Sequence, residues 1–248
     1  MCYAITVKED KIEKLGEKLG KAFQSELEIH FQEEQYRSYY FVSGFSFPEL
    51  PIVIGKSIEL YQWGLIPSWV KDLDTAKELR SNTLNAKSET AFEKPSFRKA
   101  IASQRCVVPV NGFIEWQTID KDKIPYYIKP SDSDLFLLGG LYDKWINPET
   151  KEVINSFSII TTEANPLMAE IHNTKKRMPF ILEYNKLNAW LDRSTSKYDI
   201  QSLFSSYDEK YMTAYQISKQ VNSSKNNRNV PDIIKPFEIP GESQLSLF

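Results

Sequence analysis

Arg105-Cys-Val-Val-Pro-Val-Asn-Gly-Phe-Ile-Glu-Trp116 is the stretch on which the fold turns. Arg105 to Val110 is an apolar run that reads as a strand. Pro109 to Gly112 supplies turn residues, and Phe113 to Gln117 reads as the return strand. That places Glu115 among apolar and aromatic neighbours, Phe113 and Trp116. A carboxyl desolvated in this way rises in pKa and suits a general acid. An outward Glu on an edge strand fits the same alternation, and the segment alone leaves both readings open. Cys106, in mid-strand, reads as a buried core thiol.

Working outward, Pro125 to Lys129, Leu135 to Leu141 and Val153 to Thr161 read as three further strands, with Asn147-Pro148 turning between the last two. Upstream, Tyr3 to Val7 reads as a short strand. Tyr39 to Phe47, Ile52 to Ile54 and Ile58 to Trp63 are β-branched and aromatic runs punctuated by Gly44, Pro48, Pro51 and Gly55. Helical spacing appears at Ile12, Leu15, Leu19 and Phe23, with Asp10 and Glu13 as a capping pair. Ser88 is placed to cap a helix over Glu89 to Phe92. Thr162-Glu-Ala-Asn-Pro166 opens another helix, capped by Thr or Asn, with Pro166 in its first turn and its end near Ile171-His172. An extended run, Phe180 to Leu182, follows.

A chain of 248 residues fits one large domain or two small ones, and 41% hydrophobic residues suffice for a packed core. The net charge of −2 gives no global basic field, so contact with nucleic acid must come from a local patch. Two cysteines, Cys2 and Cys106, make no disulfide framework, and no leader or long apolar span is present. The expected setting is therefore reducing and cytoplasmic, with no membrane partner. Two histidines, His30 and His172, are too few for a multi-histidine metal site. No metal or other cofactor is called for, and His30, in a polar and aromatic stretch, reads as structural.

Met1-Cys2 carries the most specific chemistry. Methionine before a small residue is a substrate for methionine aminopeptidase, so the mature chain is expected to begin at Cys2, with an amine and a thiol on one residue. An α-amino group titrates near 7.7 to 8.0 and is partly unprotonated at neutral pH, whereas lysine, near 10.4, is not. The amine can form a Schiff base with an aldehyde. The thiol can then close on the imine carbon to give a five-membered thiazolidine. A bare Met-Cys is also what an incidental chain start looks like.

Four further features bear on function. Trp63-Gly-Leu-Ile-Pro-Ser-Trp69 brackets Gly and Pro with two indoles, which reads as a core corner or as a stacking surface for unpaired bases. Asn85 precedes the Ser88 segment, where turn chemistry is its common use. Lys94, Arg98, Lys99 and Arg105 form a basic cluster, either a solvated face or a set of phosphate contacts. His172 stands at a helix end before Lys175, Lys176 and Arg177, where it reads as a proton shuttle or as a surface histidine.

Taken together, Met1-Cys2, Trp63 to Trp69, Asn85-Ala-Lys-Ser-Glu-Thr90, Arg105 to Trp116, and Thr161 through Ile171-His172 to Arg177-Met-Pro179 resemble the SRAP family (SOS response-associated peptidase domain). Val221-Asn222 and Ile233-Ile-Lys-Pro236 resemble, more weakly, the end of the same domain. The resemblance implies one α+β domain over residues 2–236 with a barrel-like antiparallel core and flanking helices. It implies binding to abasic sites in single-stranded DNA, with a covalent thiazolidine crosslink through the N-terminal cysteine that shields the lesion from strand cleavage and error-prone bypass. Carried over by motif, Cys2 is the nucleophile, Asn85 positions it or the opened sugar, Glu115 is the acid/base at the Schiff base, and His172 assists ring opening. Trp63, Trp69 and Arg177 match positions lining the DNA groove; Lys87, at a position that is usually arginine, and Arg98 and Arg105, from the basic cluster, are the further expected DNA contacts.

Two departures from the family pattern stand out. Tyr3-Ala4 replaces the expected Gly-Arg, and Lys87 replaces an arginine, losing the bidentate fork that grips phosphate. The tail, residues 237–248, ends Gln244-Leu-Ser-Leu-Phe248 and resembles the short peptide that docks on the bacterial sliding clamp. Gln244 would bond the pocket rim, Leu245 lies between, and Leu247 and Phe248 would fill the pocket. That partner would bring the protein to the nucleoid during replication. Two other functions compete: an N-terminal-nucleophile amidohydrolase or thiol peptidase using Cys2 and His172, and a non-catalytic single-strand binder in which Cys2 is dispensable.

Overall fold

The computed structural model describes residues 2–237, so Met1 and the clamp-like peptide at Gln244, Leu245, Leu247 and Phe248 lie outside the described residues. Within it, in chain order, come β1 (Ala4–Val7), α1 (Ile12–Phe23), β2 (Glu28–Ile29), β3 (Tyr39–Ser43), β4 (Glu49–Ile54), β5 (Ser57–Trp63), α2 (Leu73–Asn82), β6 (Asn85–Lys87) and α3 (Arg98–Ser103). Then follow β7 (Arg105–Val110), β8 (Gly112–Ile119), β9 (Asp122–Pro130), β10 (Phe136–Ile146), β11 (Val153–Glu163), α4 (Pro166–Ile171), β12 (Arg177–Pro179), α5 (Leu187–Leu191), α6 (Lys197–Leu203) and β13 (Met212–Gln216).

Strand pairing runs β11–β10–β7–β4–β5, and β5 pairs back onto β11 through Ser156 with Gln62 and Phe157 with Trp63. The ring is therefore a closed five-stranded barrel, which removes the exposed edges an open sheet would leave. Its closing pair is parallel, as is the pairing of β6 on β11. The barrel is thus mixed rather than wholly antiparallel. A second sheet, in the order β13–β9–β8–β1–β3, packs beside it. The α+β class implied by the family resemblance is the observed one.

The opening stretch behaves differently from the hairpin its residues predict. β7 pairs with β10 and β4 in the barrel, whereas β8 pairs with β1 and β9 in the second sheet. Phe113 to Gln117 is therefore not the return strand of β7. Asn111 makes the crossing: its N–H donates to the Thr6 carbonyl at 2.9 Å and its Oδ1 accepts from the Lys8 N–H at 2.6 Å. Glycine is required next, because a Cβ on Gly112 would lie 2.5 Å from the Ile128 carbonyl oxygen.

Two caps also differ. α1 begins after Lys11 with no side-chain cap, so Asp10 and Glu13 do not form the expected pair, and the buried face Ile12, Leu15 and Leu19 holds the helix instead. The segment after Ser88 is a single 3-10 turn, Ser88–Thr90, with no capping bond from a side chain. At α4 the expectation holds: Asn165 Oδ1 accepts from the Met168 N–H at 2.8 Å, with Pro166 in the first turn. Beyond β13, Ile233 and Ile234 are buried and Pro236 bridges to Ile217, so the folded unit continues to that point.

Candidate active site

β1 is flanked by β3 and β8, with Ala4 opposite Ser43 on one side and Ile114 on the other. The residues after Cys2 are thereby fixed between two strands of the second sheet, next to β8, the strand that carries Glu115. Cys2 is fully buried. From the barrel side, Asn85 on β6 reaches across and its Nδ2 donates to the Cys2 carbonyl at 2.9 Å. Asn85 is held in place by pairing opposite Ile159, which makes it a strand residue rather than a turn residue. Its Oδ1 is buried without a hydrogen-bond partner among the described residues, so one acceptor stands ready beside Cys2.

Glu115 is 3% exposed, which decides between the two readings of its segment in favour of burial. Desolvation drives its carboxyl up to about 7. The Cys2 thiol is pushed well above its ordinary value, first by burial and then by the charge of Glu115. Cys2 therefore rests as a neutral thiol, not a thiolate.

His172 follows α4, where the Arg177 N–H lies 3.1 Å and the Arg177 carbonyl 2.9 Å from its Nδ1. Burial first, and then nearby positive charge that includes Lys175 and Lys123, lower its pKa to about 4. A neutral imidazole at physiological pH follows.

Glu115 and His172 open onto a cleft of about 550 Å³ whose walls include Tyr3, Lys123, Lys175 and Arg228. Three cations face one carboxyl that is half neutral at pH 7, so the cleft favours an anionic ligand. Trp116 also lines it, its indole N–H donating to Asn222 Oδ1 at 2.6 Å, and the Arg228 guanidinium lies 4.2 Å from the Phe41 ring centre. Lys123, Asn222 and Arg228 were not marked as site residues by sequence reasoning. They sit far apart in the chain, and no local pattern announces that β9 and the segment after β13 share a wall. Among the described residues no group of three or more His, Cys, Asp or Glu could hold a metal ion.

The DNA-contact residues divide. Trp69 is 47% exposed, its indole N–H donating to the Pro95 carbonyl, and Lys99 reaches Ser68 Oγ at 2.7 Å. Arg98 and Lys87 are exposed. These four residues offer cationic and aromatic surface. Trp63 does not: it is fully buried, donates to the Leu84 carbonyl at 2.8 Å and stacks on Phe157. It is a core residue, contrary to its expected place in the groove.

Arg105 is likewise buried, with its guanidinium donating to the carbonyls of Trp190, Ile101, Ala102 and Asp192. It ties α3 to the segment around α5 and has no face for phosphate. Arg177 is also mostly buried, and its fork is taken up by the Glu89 carboxylate and the Thr161 carbonyl. Its visible role is to fix the backbone that holds His172. His30 is at the surface beside Glu28, 3.1 Å away, and Cys106 is in the core. No helix among the described residues is long and apolar enough to cross a membrane.

A sequence model of the family described as "SOS response associated peptidase (SRAP)" matches residues 1–224. The abasic site processing protein YoqW of Bacillus subtilis is 44% identical over 176 residues, covering 70% of this chain and 74% of that protein. The abasic site processing protein HMCES of Xenopus tropicalis is 33% identical over 186 residues, covering 67% of this chain and 54% of that one. Among solved structures, one of a Bacteroides thetaiotaomicron protein superposes with a TM-score of 0.84 at 38% identity, covering 96% of this chain and 100% of that chain. One from Bordetella bronchiseptica, at 22% identity, shares the fold with a TM-score of 0.72 over 88% of this chain and 100% of its own.

Proposed function

The chain belongs to the SRAP family, and we propose that it processes abasic sites in single-stranded DNA by trapping the lesion on Cys2 as a thiazolidine. The observation that carries the proposal is the pairing of a buried, neutral Cys2 thiol with a Glu115 carboxyl poised near 7, at the edge of a cationic cleft. A thiol peptidase needs a thiolate of lowered pKa, and both the burial and the Glu115 charge act the other way. An aldehyde-capturing amine needs no thiolate at the outset.

Removal of Met1 leaves the α-amine of Cys2 within the frame set by Asn85, whose Nδ2 holds the Cys2 carbonyl and whose Oδ1 is an unused acceptor. His172, neutral at physiological pH, takes the proton of the C1 hydroxyl as the closed sugar opens to its aldehyde and passes it to the departing ring oxygen, which becomes a hydroxyl. The amine attacks the aldehyde carbon, and proton transfer gives a carbinolamine. Glu115 then donates its proton to the carbinolamine hydroxyl, which leaves as water, and an iminium remains. The Cys2 sulfur attacks the iminium carbon while its proton passes to the Glu115 carboxylate. A thiazolidine forms, Glu115 is again neutral, and one water has been released. The same groups run the steps backward, so slow reversal is expected.

Trp69, Lys87, Arg98 and Lys99 contribute the outer contacts to the strand, by stacking and by charge. The peptide Gln244 to Phe248 is proposed to tether the protein to the sliding clamp. The test is incubation with an abasic oligonucleotide followed by denaturing electrophoresis, beside casein and glutamine as hydrolase substrates. A denaturation-resistant band that Cys2→Ala abolishes supports the proposal. Release of peptide or ammonia without such a band supports the hydrolase, and the absence of both supports simple binding. Cys2→Ser should retain a Schiff base that borohydride can trap.

A further inference from the structure

Tyr3, immediately after the nucleophile, stacks against a second ring from another strand connection. Its centroid lies 4.9 Å from that of Phe45, with the planes tilted by 38°. Phe45 is 57% exposed, a large apolar face against Tyr3, which lines the cationic cleft. Its turn is firmly built. The Gly44 N–H donates to the Tyr3 carbonyl at 2.9 Å, the Phe45 N–H to Ser43 Oγ at 3.3 Å, and Ser46 Oγ to the Ser43 carbonyl at 2.7 Å. Beneath it, a Cβ on Gly44 would come within 3.2 Å of Trp63 and Leu84, so the buried Trp63 indole is the floor on which the turn rests. An exposed phenyl ring that costs this much order is pre-positioned for a ligand with a flat apolar face.

We propose that Tyr3 and Phe45 form a ledge that stacks an unpaired nucleobase adjacent to the abasic sugar. The inference rests on the proposed reaction, which brings the lesion's aldehyde carbon to Cys2 and therefore brings a neighbouring nucleotide to the residue that follows Cys2. Charge complementarity supports the occupant. Tyr3 shares its cleft with Lys123, Lys175 and Arg228, which suit the phosphates on the same strand. A base has a π-face whatever its identity, so the ledge confers a requirement for a base without confering a sequence. Tyr3 and Phe45 thereby make the protein discriminate an isolated abasic site, flanked by bases, from a run of base-less sugars.

The experiment is a double-mutant cycle on non-covalent binding. Wild type and Phe45→Ala are titrated with single-stranded oligonucleotides carrying a tetrahydrofuran lesion analogue, which lacks an aldehyde. The flanking nucleotide on the 5′ or the 3′ side either keeps its base or is replaced by a second furan. Stacking of one base is worth roughly a five- to 150-fold change in affinity. Wild type should lose affinity by a factor in that range when the base on one particular side is removed, and Phe45→Ala should lose none. Phe45→Trp should retain the loss, and 2-aminopurine at that flank should be quenched by wild type but not by Phe45→Ala.

Equal losses for wild type and Phe45→Ala, or no loss for either, would overturn the ledge. Absence of binding by wild type would overturn it also. Crosslinking to a natural abasic site, assayed in parallel, separates the two ideas. Coupling without crosslinks leaves the ledge standing and removes the proposed reaction, whereas crosslinks without coupling do the reverse.

Discussion

Replacing Glu115 by Gln isolates the acid on which the proposed sequence of steps turns. At pH 7 a carboxyl titrating at about 7 is protonated in half the molecules, whereas one at its ordinary 4.5 would be protonated in roughly one in 300. Burial on β8 thus multiplies the available acid by about 150-fold at pH 7. Loss of a positioned general acid typically costs roughly 10²- to 10⁴-fold in rate. Glu115→Gln is therefore expected to slow formation of the denaturation-resistant band at least about 100-fold. The wild-type rate should decline above pH 7 as the acid is lost, and this decline should be absent from the variant.

The same carboxyl also titrates stability. Its folded pKa lies above its unfolded one, so the native state binds more protons between pH 4.5 and 7 and is destabilised as pH rises through that window. His172 works oppositely: depressed from 6.5 to about 4, it makes the native state gain stability as pH rises between those values. In wild type the two slopes offset each other from about pH 4.5 to 6.5. Glu115→Gln removes one of them, so the stability difference between variant and wild type should shift in favour of the variant by on the order of 3 kcal/mol between pH 4.5 and 7. Crosslinking rates and urea melts across pH 4 to 9 read both effects. A variant that crosslinks at the wild-type rate with the wild-type pH profile would refute the assignment of Glu115 as the acid.

Other expected outcomes are more local. Trp63→Ala should cost about 3 to 5 kcal/mol in urea unfolding as a cavity mutation, because the ring is core and supports the Gly44 turn. Arg105→Ala should destabilise by about 2 to 5 kcal/mol, since several buried carbonyls lose charged donors, while the salt dependence of DNA binding at 50 to 200 mM salt stays unchanged. By contrast, Arg98→Ala should lower the slope of log affinity against log salt by about 0.7, the signature of one lost phosphate contact on a single strand. Trp69→Ala should weaken single-strand binding by roughly five- to 150-fold with little change in thermal midpoint. Deletion of Ser243 to Phe248 should abolish co-purification with the sliding clamp and leave crosslinking of free oligonucleotides intact; unchanged capture of the clamp would remove the tether.

What could be read from the chain follows the range of the interactions involved. β10 and β11 announce themselves because β-branched and aromatic residues recur over their length, and α1 because its apolar residues fall on one face. Barrel closure is silent in the sequence, since Ser156 and Phe157 meet Gln62 and Trp63 through a parallel pairing nearly a hundred residues apart. The crossing at Asn111 was misread for a related reason: turn residues show that the chain bends, not which sheet it enters.

Site residues divide in the same way. Cys2, Asn85, Glu115 and His172 are distinguishable by their chemistry and by the motifs around them, and the fold brings Asn85 to Cys2 and sets Glu115 and His172 on one cleft. Trp63 reads locally as either a core corner or a stacking surface and is drawn to the groove only by the family resemblance, and Arg105 reads with its basic cluster as a solvated face or a phosphate contact. Their partners, the Leu84 carbonyl and the carbonyls around Trp190, are remote in sequence. Phe45 gave no signal, since only the packing of its turn against Tyr3 shows that the ring faces outward.

Intact-mass analysis of the protein after reaction with an abasic oligonucleotide, followed by peptide mapping, tests the central proposal most directly. The account predicts a product equal to the chain without Met1 plus the oligonucleotide minus one water, stable to denaturation, with the adduct confined to Cys2. An unreacted chain, retention of Met1 on the reacted protein, or an adduct mapped to a lysine would contradict it.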